Sequence, residues 1–154
     1  MENKTKYYLD KSPIVRTGWG LLTYRGPMLT EEHTDLLFTL LLLAARRQGG
    51  LPDEGGSKTF VYSGSMRELL IAAGHLQPNA EQYDVAFDLL SDMVCAVISH
   101  WVDGKRVSFS KMIFSGEFDG EEGFTVHIGA EFMKAYQDGH ITRQTFSDLF
   151  SSQP

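Results

Sequence analysis

The sequence predicts an α+β fold in which a helix-turn-helix pair is followed by antiparallel strands, and three observations carry that expectation. Ser65-Met66-Arg67-Glu68 and Asn79-Ala80-Glu81-Gln82 both have the spacing of a capping box, in which a side chain at the helix start and one three residues later satisfy each other's backbone N–H groups. The turn between the two helices holds Gly74 and Pro78, which suits a short helix–helix connection. Asp103-Gly104 stands between two apolar runs, and Asp-Gly is among the strongest short hairpin signals because both central positions of the tight turn need positive φ.

Each element follows from local chemistry. Residues 19–25 are aromatic and apolar enough for a strand, which Gly26-Pro27 ends. A helix starts at Thr30, whose hydroxyl caps free N–H groups, with Glu31 and Glu32 at the positive end of the dipole. Arg46 and Arg47 fill its last turn and Gly49-Gly50 stops it. Because residues 36–45 are apolar on nearly every side, other elements should surround this helix. A polar, glycine-rich loop spans 51–57, and residues 59–62 form a short strand.

The first capped helix holds Leu69, Leu70 and Ile71 and closes at Gly74; the second shows a helical stripe of Tyr83, Ala86, Phe87, Leu90, Met93 and Val94. Residues 94–102 and 105–114 make the hairpin strands. A turn over 115–122 leads to a strand at 123–128, then a short helix at 130–136 closes near Gly139. Strand, helix, strand, helix, helix, hairpin is the order of a winged helix. The expected division is an N-terminal arm (1–18), one winged-helix domain (19–146) and a C-terminal tail (147–154).

Composition narrows the function. With 154 residues, 42% hydrophobic and 22% charged, the chain is neither disordered nor fibrous and has the length of one domain. The apolar run 36–45 is half of the roughly 20 residues a membrane-spanning helix needs, so no membrane partner is expected. The polar start and the single cysteine, Cys95, point to the cytoplasm, and Cys95 is expected to be inert inside a strand. The charge of −6 is unfavourable for a self-sufficient nucleic-acid binder.

No enzyme motif holds. Gly50 to Ser57 mimics a phosphate-binding loop, but Gly56 occupies the lysine position, and a helix precedes the loop where a strand is required. His33, His75, His100, His127 and His140 have no ligand spacing, although His100 and His127 could face each other across a sheet. Asp119 to Gly123 lacks the alternation of a calcium loop, and Ser63-Gly64-Ser65 is no nucleophile elbow. No catalytic residue, metal or cofactor is expected.

Tyr24-Arg25-Gly26-Pro27-Met28-Leu29 before a leucine-rich helix resembles plasmid replication initiators of the TrfA type. So do Phe60-Val61-Tyr62-Ser63-Gly64 before Arg67-Glu68-Leu69-Leu70 and Ala73-Gly74, the helix opened by Tyr83, and Ile141-Thr142-Arg143, over about residues 21–150. The resemblance implies a winged-helix fold, binding of repeated sequences at a plasmid origin, dimerisation and recruitment of host replication proteins. Many such initiators carry two winged-helix modules in tandem, and this length has room for one.

Residues 80–94 carry Glu81, Asp84, Asp88 and Asp92 and no Lys or Arg, the pattern of a solvated acidic face and not of a base-reading helix. The expected phosphate contacts are therefore Lys105 and Arg106 at the hairpin tip, which is the wing in this reading, with Lys111 and Arg67. The alternative for the hairpin cations is protection of an edge strand. Trp101, Phe109 and Phe114 are the candidates for dimer or protein contacts. Two function classes result: an initiator module that binds double-stranded origin DNA weakly by itself, and a dimerisation or regulatory module of the same fold without sequence-specific DNA binding. A Lys105→Ala, Arg106→Ala double substitution should lower DNA affinity and its salt slope; unchanged values in a salt titration would remove the hairpin tip from the binding site.

Overall fold

A computed structural model describes residues 13–48, 59–119 and 122–151. The chain order is β1 (Ile14–Thr17), β2 (Gly20–Arg25), α1 (Glu31–Gln48), β3 (Thr59–Ser65), α2 (Met66–Ala72), α3 (Ala80–Asp92), β4 (Val97–Val102), β5 (Lys105–Lys111), β6 (Ile113–Phe118), β7 (Gly123–Gly129), α4 (Ala130–Gln137) and α5 (Arg143–Ser151). The strands form two antiparallel sheets, one in the order β1-β2-β4-β5 and one in the order β3-β7-β6. The fold is thus mixed α+β, as the element pattern requires. The glycine-rich loop 51–57 lies outside the described residues.

One of the two expected capping boxes is complete, and the other is met by its hydroxyl half. Asn79 and Gln82 satisfy each other's backbone N–H groups, and Ser65 accepts from the backbone N–H of Glu68. Ser65 is also the last residue of β3 and donates to Glu122 Oε1 at 2.8 Å, so one hydroxyl ties strand end, helix start and the β6–β7 connection. In the 103–104 turn both residues have positive φ, 54° at Asp103 and 78° at Gly104, as the Asp-Gly reading requires.

The hairpin does not pair with β3. Its strand β4 lies between β2 and β5, in the sheet that begins with β1, whereas β3 pairs with β7. The expected second hairpin strand, 105–114, breaks at Met112: β5 ends at Lys111 in one sheet and β6 starts at Ile113 in the other. Met112 is fully buried, donates to the Ala96 carbonyl and accepts from the Gly129 N–H at 2.9 Å. This crossover requires glycine at 129, because a Cβ there would overlap the Lys111 carbonyl.

Other expected boundaries shift for local reasons. Residues 93–95 form a 3-10 turn closed by the Ala96 N–H to the Met93 carbonyl, so the strand begins at Val97 and Cys95 is exposed rather than buried in a strand. The region expected as an arm contributes Ile14–Thr17 as β1, paired with β2. Of the expected tail, residues 147–151 belong to α5, whose Phe146 and Leu149 are buried. His100 and His127 lie in different sheets and cannot face each other.

The apolar helix α1 is covered on most sides, with Leu37, Leu40, Leu41 and Ala44 fully buried against α2, α3, α4, α5 and β3, while Leu42 is 42% exposed. Its start is anchored through His33. The His33 Nδ1 accepts from the Thr30 N–H at 2.9 Å, which leaves the proton on Nε2, 2.8 Å from Asp92 Oδ2 at the end of α3. On the opposite side, burial pushes the Tyr136 hydroxyl above its ordinary 10.0, with Arg143 and Arg46 pulling it partly back. Tyr136 therefore favours the folded state while neutral, and that contribution fades as pH rises through its folded pKa.

Among the described residues no helix is long and apolar enough to cross a membrane. A Gly129→Ala substitution should lower unfolding free energy by about 3 kcal/mol in urea titration, since neither the Lys111 carbonyl nor the strand can move aside. Leu41→Ala should cost about 2–5 kcal/mol in the same assay, through a cavity rather than overlap.

Candidate nucleic-acid interface

Strand alternation sorts the four-stranded sheet into two faces. Leu22 and Tyr24 of β2 and Ile98 of β4 are buried in the core. The opposite face is built by the registers Ile14↔Thr23 and Arg16↔Leu21, then Thr23↔Ser99 and Arg25↔Val97, then Ser99↔Phe109 and Val97↔Lys111. A register shift after His100 pairs Trp101 with Arg106, and the Arg106 guanidinium carbon sits 4.7 Å from the Trp101 ring centroid. The outer face therefore carries Arg16, Arg25, Arg106 and Lys111 around Trp101 and Phe109. Phe109 is 67% exposed; Trp101 is partly buried, its Nε1 donating to Thr23 Oγ1 at 3.0 Å.

Charge on this sheet has one sign. The strands read Ile-Val-Arg-Thr, Gly-Leu-Leu-Thr-Tyr-Arg, Val-Ile-Ser-His-Trp-Val and Lys-Arg-Val-Ser-Phe-Ser-Lys, without a carboxylate in any of them. Among the described residues, Arg16, Arg25, Arg106 and Lys111 have no ion-pair partner, so their charge faces solvent and reinforces across the sheet. A chain of charge −6 thereby presents one locally cationic surface.

The residues expected from sequence are partly gathered here. Arg106, Lys111, Trp101 and Phe109 share the face, so the cations and the aromatic residues form one surface. Lys105 alternates to the other side of the hairpin, opposite Val102. Phe114 lies on β6 in the second sheet, 37% exposed, and meets the face at its edge, where the Lys111 ammonium is 5.5 Å from its ring centroid. Arg67 is on α2, which packs on α1, α3 and β3 and is remote in topology from this sheet. Arg16 and Arg25 were not expected. The signal for both is period-two spacing: Arg16 stands two residues after Ile14, and Arg25 two after Thr23 and four after Leu21.

The core side of the same sheet meets α4 at a cavity of about 260 Å³ lined by Ser108, Ser110, Glu131, Lys134 and Asp138. There Trp19 is stacked between His100 (centroids 3.6 Å apart) and His140 (4.5 Å), and His100 Nε2 lies 2.9 Å from the Trp19 carbonyl oxygen. The stack commits both faces of the indole to packing. Among the described residues no group of three or more His, Cys, Asp or Glu side chains is placed to hold a metal ion.

No protein-family model matches the chain, and no curated protein matches it. Among solved structures the fold is similar to the crystal structure of domains 2 and 3 of RctB, with a TM-score of 0.56 at 11% identity. The match covers 93% of this chain and 62% of the other, so this chain spans less than two thirds of the matched structure. At this identity the likeness is one of fold alone.

Proposed function

We propose that the chain is a winged-helix module of a plasmid replication initiator of the TrfA type, contacting double-stranded origin DNA through the outer face of the β1-β2-β4-β5 sheet. The observation that carries this reading is the sheet itself, in which Arg16, Arg25, Arg106 and Lys111 surround Trp101 and Phe109 and no strand holds a carboxylate. The similarity in fold to a fragment of a replication initiator supports it at a coarser level. In this reading the winged helix is β3, α2, α3 and the β6–β7 hairpin, since β3 pairs with β7. The wing is then the β6–β7 connection, flanked by Asp119 and Glu122, and not the 103–104 turn.

The chemistry of the face defines the kind of contact. Guanidinium and ammonium groups spread over a sheet meet phosphates along the backbone and do not reach base edges in a groove. Binding by the isolated module is therefore weak and indifferent to sequence, and site choice comes from dimerisation or from a further module. Dimerisation across this face would set cations against their own copies, so a twofold interface lies elsewhere on the chain. Host replication proteins and a cytoplasmic setting complete the proposal, and no catalytic step belongs to it.

The second reading, an interaction module without autonomous DNA binding, is favoured by α3, whose exposed Glu81, Asp84 and Asp88 would repel DNA. A salt series of band shifts on origin DNA separates the two. The Arg16→Ala, Arg25→Ala, Arg106→Ala, Lys111→Ala variant should lose affinity, and its log–log salt slope should fall by about 0.9 for each phosphate contact removed. Because these side chains are exposed, the fold should survive, with each substitution changing stability by only about 0.5 kcal/mol. An unchanged slope from the folded variant would leave the interaction module as the reading.

A further inference from the structure

The helical side of the molecule carries a second surface of opposite charge. Between α1, α2 and α3 lies an open groove of about 280 Å³, below the roughly 300–1,000 Å³ typical of small-molecule sites. Its floor is apolar: Leu36, Leu70 and Ala86 are buried, and Val85 is 48% exposed although it faces the groove. Leu76, at the turn between α2 and α3, is 90% exposed, the largest exposure among the exposed large apolar residues. An apolar side chain so placed costs solvation and packs on nothing in this chain.

The rim is acidic. Glu32 and Asp35 of α1 line one side of the groove. On α3, at 100° per residue, Glu81 and Asp88 stand on the solvent edge of the Val85 and Leu89 row. Arg143 pairs with Asp35, which leaves Glu32, Glu81 and Asp88 available to a partner. This arrangement excludes a polyanion. Helices and the α2–α3 turn, through Ala73 and His75, line the groove and no strand does, so no sheet edge is offered to an added strand, and the remaining mode is a helix laid into the groove.

We propose that this groove docks a basic amphipathic helix from another protein, with apolar anchors at helical spacing over Val85, Leu89 and Leu76 and Lys or Arg against Glu32, Glu81 and Asp88. Charge complementarity sets the sign of the occupant. A second copy is poorly suited to supply it: among the described residues no helix carries more than two basic residues, and Lys134 and Arg143 are already paired with Asp138 and Asp35. The inference does not depend on DNA binding. It gives the acidity of α3 a use that a base-reading helix could not have.

The test uses the full chain and fluorescein-labelled synthetic helices of about 14 residues, roughly four turns, read by anisotropy. A Leu/Lys amphipathic peptide should bind about tenfold more tightly than a Leu/Glu peptide of the same pattern and than a Ser/Lys peptide of the same charge. Val85→Ser, and separately Glu32→Lys with Glu81→Lys, should each weaken binding about tenfold, while Glu117→Lys on the exposed β6 should change it by less than about twofold. Circular dichroism confirms the fold of each variant. The proposal is overturned if the Leu/Lys peptide does not bind at low salt, or if Glu117→Lys weakens it as much as the groove variants do. It is also overturned if sedimentation shows a dimer that Val85→Ser dissolves, which would make a second copy the occupant.

Discussion

The molecule turns on the crossing of the chain from one sheet to the other at Met112. There the backbone leaves β5, passes beneath Ala96 and Gly129, and re-enters as β6. Two backbone hydrogen bonds hold the crossing residue, and the missing side chain at position 129 lets the strands approach. Without that approach the sheets could not share one core. Because they do, β5 carries Phe109 and Lys111 on its outer face up to the crossing, and β7 is free to pair with both β3 and β6. The large side chains that fill the space on either side, Tyr24 and Leu22 from one sheet and Tyr62 and Ile128 from the other, are fully buried. The leucine-rich α1 packs among them.

Sequence patterns made the local elements legible and left the pairing between them open. The Asn79–Gln82 capping box, the Ser65 cap, the Asp-Gly turn and the apolar stripe of α3 depend on neighbours a few residues apart, and each is found where its spacing places it. Sheet membership depends on contacts far apart in the chain. Nothing in residues 105–114 distinguishes a long hairpin strand from two shorter strands in different sheets, because Met112 is as compatible with a strand as its neighbours. Only the partner glycine at 129 and the Ala96 carbonyl decide it. The same gap hid α5: Phe146, Leu149 and Phe150 have helical spacing, but their weight comes from burial against α1 and β1.

The candidate site was half legible for the same reason. Lys105 and Arg106 stand out as adjacent cations, yet alternation sends them to opposite sides of the hairpin, and the outer face takes only Arg106. Arg16 and Arg25 join it from strands whose order beside β4 no short motif encodes. The net charge of −6 concealed this because it averages two separated surfaces: a sheet face without carboxylates and a helical face where Glu32, Glu81, Asp84 and Asp88 are exposed. Screened over about 10 Å at ordinary salt, the two surfaces act as separate fields. In the proposed reading the first meets phosphates and the second a basic helix.

In the proposed function the sheet face, and not α3, turns to nucleic acid. Hydrogen–deuterium exchange of the full chain with and without origin duplex, at low salt, tests it most directly, because it reports contact segment by segment without any substitution. Exchange should slow in β1, β2, β4 and β5 on binding, reversibly with added salt, and α3 should be unchanged. Protection confined to α3 and the α2–α3 turn, with the sheet unaffected, would contradict it.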